Sequence, residues 1–373
     1  MTILIFLAVL VVLILVHEFG HFIVAKRSGI RVDEFGIGFP PKLYGKKFGE
    51  TEYTINALPF GGFVRIFGES IKEDSDEDLS GPDSARALIH KPKYIQAAVL
   101  FAGVFFNMIF AWILFSIVLA IGTPALGGGD GGRLSQYISN EQILITQVLE
   151  ESPAADAGLI EGDEVISLST HHDTITPQTS EEIGAFITTQ EGHQIFLNYK
   201  RDGVEDAVIV VPQTGLLSES PESPAIGIGT GVVGTLTLPV HLAIFEGGKQ
   251  TLEMLYRVTI GIGTFFYDAL LFKADLSTVA GPVGIVSLVG SASALGFIAL
   301  MNFTALISLN LAVINLIPFP ALDGGRLLFL LVETIKGSPI RPKIANAFNM
   351  VGFAFLLLLM LVVTYGDIVR LMK

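Results

Sequence analysis

Two histidines four residues apart, with a glutamate beside the first, form the part of this chain best suited to chemistry: His17-Glu18-Phe19-Gly20-His21. On a helix those spacings put both imidazoles on one face, where they can bind a single zinc ion with Glu18 beside the metal's water. Zinc lowers the pKa of such a water, and a neighbouring carboxylate can take its proton as it attacks a peptide carbonyl. This is peptide hydrolysis without a covalent intermediate. The chain has no cysteine, so thiolate ligands, a cysteine nucleophile and disulfides are all excluded.

The elements that must position these groups belong to a membrane protein. Of 373 residues 51% are hydrophobic and only 16% charged, and the mean hydropathy is +0.61, too apolar for a soluble domain of this length. Four stretches are long enough to cross a hydrocarbon core of about 30 Å: Thr2 to Ala25, Ile95 to Ile121, Gly296 to about Leu322, and Ala345 to Thr364. The first lacks a basic leader region and a small-residue cleavage site, so it reads as a retained helix. It carries the histidines. Ionisable groups inside a span are costly and mark function; the alternative is a helix end whose His and Glu merely reach the interface.

A catalytic zinc needs a third protein ligand and an open position. Few other titratable groups lie in apolar sequence, and Asp323 closes the third span in Asn315-Leu-Ile-Pro318-Phe-Pro320-Ala-Leu-Asp323-Gly324-Gly325. Two prolines there should break the helix, and broken backbone at membrane depth is tolerated only where it lines protein or a water cavity. A plain Asp-Gly-Gly turn at the inner interface is the other reading.

Lysine and arginine counts set the orientation. Lys26 to Lys93 holds eleven and Arg326 to Lys343 four, against three in Gly122 to Val240. The positive-inside rule then puts the first two in the cytoplasm, the third outside and both termini outside. The first and third spans run the same way, with His17, His21 and Asp323 toward their inner ends, so the three can share a depth. Glu69 to Asp83 concentrates seven carboxylates against one lysine, a solvated loop; with a net charge of −13 it argues against nucleic acid as a partner.

The fold class expected is a polytopic α-helical membrane protein with about four spans and an inserted extracytoplasmic β-rich domain. Strand-like runs at Ile143 to Val148, Glu164 to Ser169, Gln194 to Lys200 and Ala207 to Val211, with a helical stretch at Ser180 to Thr188, place that domain at 128–212. The flanking regions are then 1–127, an N-terminal membrane region; 213–295, a linker from Pro212 to Pro224 followed by amphipathic helices from Leu238 to about Lys273 lying at the outer interface; and 296–373, a C-terminal membrane region.

Taken together, these residues resemble the site-two protease family, most closely its bacterial regulator-of-sigma-E protease type. The resemblance covers most of the chain and rests on His17-Glu18-Phe-Gly-His21, Ala280-Gly-Pro-Val-Gly-Ile285 and Asn310-Leu-Ala-Val-Ile-Asn315-Leu-Ile-Pro318-Phe-Pro320-Ala-Leu-Asp323-Gly324. It implies that His17, His21 and Asp323 bind Zn2+, that Glu18 is the general base, and that the substrates are transmembrane segments, such as those of anti-sigma factors or signal-peptide remnants. It also implies a multi-pass protein of the bacterial inner membrane with its active site toward the cytoplasm.

Asn107 matches a family asparagine; its amide could polarise the scissile carbonyl or hold a substrate strand, or form a bond between helices. Asn310 and Asn315 carry the same two readings. Leu58 to Gly68, with Gly61, Gly62 and Phe63, looks like the family's membrane-associated β-loop, whose edge could pair with an unwound substrate; a cytoplasmic hairpin is the alternative. Glu151 to Ile166 resembles a turn and strand of bacterial PDZ domains, which either accept a peptide strand or filter bulky substrates. The relatives often carry two such domains and this chain has room for one. His171 and His172 are adjacent, point in different directions, and do not make a second metal site. Two other classes compete: a membrane scaffold with a vestigial zinc motif, which would not need Glu18, and a metal transporter, for which no inverted repeat is evident.

Overall fold

A computed structural model describes residues 1–69, 83–127, 133–201, 203–217, 220–271, 273 and 279–371. Most of the acidic stretch read as a solvated loop, 70–82, lies outside the described residues. The chain divides into two compact units, Met1–Val118 with Val240–Lys373, and Leu119–Pro239.

The first unit holds four helices long and apolar enough to cross a membrane. They are α1 (Thr2–Arg27), α2 (Lys93–Ile121), α7 (Phe297–Leu316) and α9 (Pro342–Leu371), numbered in chain order. α1 and α2 cross closely because glycine removes the side chain at the contact: a Cβ on Gly20 would overlap the Ala102 carbonyl. α7 seats on α2 through Ser308, whose hydroxyl donates to the Asn107 carbonyl oxygen at 2.8 Å. Between the spans lie α5 (Val240–Leu270) and α6 (Pro282–Ala294). α5 is one helix of 31 residues, about 46 Å long, where separate surface helices were expected. Its Gly247 and Gly248 fit against Ser116 and Trp112 of α2, and the Trp112 indole donates to the Ile244 carbonyl at 2.8 Å.

One correction bears on the site. The third span was expected to run to about Leu322 with Asp323 closing it, but α7 ends at Leu316 and Asp323 is the first residue of α8 (Asp323–Lys336). Pro318 and Pro320 lack the N–H that would continue the helix, so the chain turns over 317–322 and restarts.

After α1 come β1 (Val32–Phe48) and β2 (Thr51–Ile66), folded back so that Glu34 lies opposite both Arg65 and Glu52, and Ile37 opposite both Gly62 and Ile55. The 62–66 stretch pairs on one side only among the described pairings. Phe22 of α1 binds this sheet through its rings, 5.3 Å from Phe35 and 6.1 Å from Tyr53.

The second unit is built on β3 (Thr123–Leu126), β4 (Ile138–Val148), β5 (Glu164–Ser169), β6 (Thr174–Ile175), β7 (Ile195–Arg201), β8 (Val204–Val210) and β9 (Ile228–Leu236), with α3 (Pro153–Asp156) and α4 (Ser180–Thr188). Strand order is β3-β9-β4-β5-β7-β8, with β6 on β5. Its core includes Ile145, Leu168, Ile183, Ile195, Leu197 and Ile226, each at most 2% exposed. The unit is wider than 128–212 because β9, which falls between the segment read as a linker and the amphipathic stretch, pairs along β4. Its run Ile228-Gly-Thr-Gly231-Val-Val-Gly234 hides a strand behind glycines, which lower strand propensity. The glycine at 234 is required by packing, since a Cβ there would strike Ile138.

Asp163 locks this unit. It is fully buried, receives Arg201 through two hydrogen bonds of 2.7 Å and accepts the Ile160 N–H at 2.9 Å. Burial pushes its pKa up, but the Arg201 and Ile160 hydrogen bonds outweigh it and hold the carboxyl below the usual range. A depressed folded pKa gives stability that is full above the unfolded value of about 3.9 and lost as pH falls through the folded one. Hydrogen exchange of β5 and β7 in the intact protein should therefore show protection falling below about pH 4. Asp163→Asn should cost about 2 kcal/mol at neutral pH and flatten that acid dependence.

Candidate active site

His17 and His21 lie on the face of α1 turned to α2 and to the start of α8, each 8% exposed. Their Nε2 atoms are 3.3 Å apart, and Asp323 Oδ2 lies 3.1 Å from the first and 3.3 Å from the second. Among the described residues this is the one group of three His, Asp or Glu side chains that could hold a metal. His171, by contrast, packs its ring against Phe196.

The spacing tests whether zinc fits. Tetrahedral zinc with N and O bonds of about 2.0–2.1 Å has ligand atoms about 3.3 Å apart, the separations seen here. Asp323 Oδ2 is buried with no hydrogen-bond partner, an arrangement that costs several kcal/mol unless a cation compensates it. Two imidazole nitrogens and a carboxylate oxygen at these separations therefore suit a divalent metal.

The outer contacts set which ring nitrogen is free. His21 Nδ1 donates to the Val99 carbonyl at 2.8 Å, leaving the Nε2 lone pair for a metal. Asn107, fully buried, places its amide 3.2 Å from His17 Nδ1, and its Oδ1 has no partner. The amide's O and N are interchangeable by rotation. With Oδ1 facing an Nδ1–H, one turn of the amide satisfies the orphan oxygen and presents His17 Nε2 to the metal. Asn107 thus bonds across from α2 to α1, as the reading of a bond between helices expected, with a histidine as its partner.

Glu18 is half-buried on α1. A Cβ on Gly62 would lie 3.6 Å from Glu18 Cγ and 3.2 Å from Ile14, so the one-sided 62–66 strand runs directly beside the glutamate. Gly61 has φ +134° and meets the Phe39 ring, and the Phe63 ring fills the space over Gly36. Glycine is needed at 61 for its backbone and at 62 for the close approach to α1. Asn310 donates to Leu306 O of its own helix at 2.9 Å; Asn315 lies in the last turn of α7, just before the break.

Sequence reasoning passed over Gly103. A Cβ there would fall against His21 Nε2 and 2.7 Å from His17 Cε1. Its one signal in the sequence is its place four residues before Asn107, on the same helix face. Gly324 and Gly325 do similar work: a Cβ on either would strike the carbonyls of Leu316 and Ile317 or of Phe319, so the Asp-Gly-Gly start of α8 can tuck under the turn. Gly103→Ala should displace the imidazoles and weaken metal binding by about tenfold or more, measured by metal competition on purified protein.

The family model for peptidase family M50 matches residues 5–359. A protein of Clostridium acetobutylicum classed with the zinc metalloproteases is 34% identical over 96% of this chain and 94% of its own length. Zinc metalloprotease RasP of Geobacillus kaustophilus is 29% identical over 97% of this chain and 96% of its own. Among solved structures, the PDZ domain of an SdrC-like protein from Listeria innocua covers 24% of this chain and 92% of its own, at 22% identity and a TM-score of 0.20. With four apolar helices of spanning length and a family match over nearly its whole length, the chain belongs to peptidase family M50 and is a multi-pass membrane peptidase.

Proposed function

We propose that this protein is an intramembrane zinc metalloendopeptidase in which His17, His21 and Asp323 are the protein ligands of Zn2+ and Glu18 is the general base. The observation that carries the assignment is the convergence of two Nε2 atoms and an otherwise unpartnered Asp323 Oδ2 at 3.1–3.3 Å. Bound there, zinc would acidify a water and polarise the scissile carbonyl.

The chain's own residues do the rest. Glu18 takes the proton of the attacking water and returns it to the departing amine nitrogen. Asn107 and the Val99 carbonyl fix the ring orientation of His17 and His21. A peptide must be extended to be cut, and the open edge beside Glu18, with Gly61, Gly62 and Phe63, fits an unwound substrate strand by backbone pairing. Asn315, next to the broken helix, and Asn310 are candidates to hold the same strand. The substrates are transmembrane segments of membrane proteins, because His17, Glu18 and His21 lie within a helix of spanning length.

The bacterial relatives support an inner-membrane protein, and the asymmetry of Lys and Arg supports this site toward the cytoplasm and 128–212 outside. We read that insert as a PDZ-like domain acting on substrate choice. A groove of about 340 Å³ lies between α4 and the start of β9, walled by Leu149, Ile183, Ile187, Leu217 and Ile228. Among the described residues β3 pairs with β9 from Val233 to Leu236 and Gly127 extends the contact to Val232, so the start of β9 offers an extended peptide a strand edge to pair with.

Two variants test the assignment on a reconstituted membrane substrate. Glu18→Gln removes the proton acceptor but no ligand, so cleavage should fall by about 10²- to 10⁴-fold with zinc content unchanged; full turnover would sink the mechanism. Asp323→Ala deletes a ligand, so zinc content and cleavage should be lost together. Normal metal content in that variant would place the third ligand elsewhere.

A further inference from the structure

The turn that presents Asp323 is gripped from the last membrane span. Ala321, two residues before Asp323, has φ +72°, a left-handed conformation that is costly for a residue with a Cβ. Its N–H donates to Asn349 Oδ1 on α9 at 3.3 Å. Three residues along α9, Gly352 sits so close to Pro320 that a Cβ there would lie 2.9 Å from the Pro320 carbonyl oxygen. Three residues further, the Phe355 ring stands 5.6 Å from that of Phe319. Positions spaced by three share a helix face, so one stripe of α9 covers the whole turn from Phe319 to Ala321.

The turn has little of its own to hold it. Pro318 and Pro320 donate nothing, and the bonds within it are Phe319 N to Ile317 O at 2.7 Å and Leu322 N to Phe319 O at 3.2 Å. Gly324 and Gly325 lie against the carbonyls of the same turn, so any shift of it moves Asp323. An alanine held left-handed where glycine would be unstrained needs an outside contact. Asn349 supplies it.

We propose that Asn349, with the close contact at Gly352, is a positioning residue: by holding Ala321 left-handed it sets the Asp323 carboxylate against His17 and His21, so metal affinity is tuned from the last span. This rests on the reading of Asp323 as a ligand.

The test uses purified full-length protein in detergent, with zinc affinity measured against a chromophoric chelator, the visible spectrum of the cobalt-substituted form, and the melting midpoint of metal-free protein. Asn349→Ala should bind zinc about tenfold more weakly, with an altered cobalt spectrum and an unchanged metal-free midpoint. Adding Ala321→Gly, which takes the left-handed turn without strain, should recover most of the loss. Gly352→Ala should weaken zinc to a similar degree by pushing on Pro320.

The proposal is overturned if Asn349→Ala binds zinc as the unaltered protein does. It is equally overturned if the loss comes with a lowered metal-free midpoint and no recovery by Ala321→Gly. Asp323→Ala, run alongside, separates the two levels. Retained zinc in that variant refutes the ligand reading, whereas zinc lost there but kept by Asn349→Ala refutes the positioning role alone.

Discussion

A carboxylate oxygen without a hydrogen-bond donor, buried beside two imidazole nitrogens, is the constraint around which the membrane unit is organised. In water such a group is solvated. Among apolar helices it is strongly destabilising unless a cation meets it or it is neutralised. A divalent metal held by these residues would resolve the conflict, and its binding energy would hold α1 to the start of α8. The same low dielectric that makes an uncompensated carboxylate unfavourable strengthens every interaction made with the reacting groups.

The architecture around this point is a set of close approaches that only particular residues allow. Gly20 and Gly103 let α1 and α2 touch so that the imidazoles fill the crossing; Gly62 lets a strand edge reach Glu18. The prolines end α7 and allow the chain to restart with Asp323 at a helix N-terminus, where the helix dipole favours a carboxylate. A second buried carboxylate, Asp367 on α9, is satisfied differently: Oδ2 accepts the Gly284 N–H at 2.8 Å, at the start of α6. One acid has a backbone donor and the other has none, which separates the structural carboxylate from the one suited to a metal.

The sequence shows the histidine pair because helical periodicity fixes the geometry of positions 17 and 21 locally. Asp323 is legible by elimination in a chain with so few titratable groups in apolar stretches. Its place at the start of a new helix was less so, since two prolines announce a break without saying where the chain resumes. Asn349 and Gly103 carry almost no signal: each is one small residue in an apolar helix, and its importance comes from a partner far away in the chain. β9 stayed hidden for a related reason, because its glycines are there for the fit to β4 and not for strand propensity. The family resemblance extended the reading to roles that no spacing dictates.

X-ray absorption at the zinc edge, on the purified full-length protein, addresses the central claim most directly. The account predicts one zinc per chain with about four nitrogen or oxygen neighbours near 2.0–2.1 Å, two of them giving the outer-shell scattering of imidazole. A site with one or three imidazoles, a six-coordinate shell, or no stoichiometric zinc in active protein would contradict it.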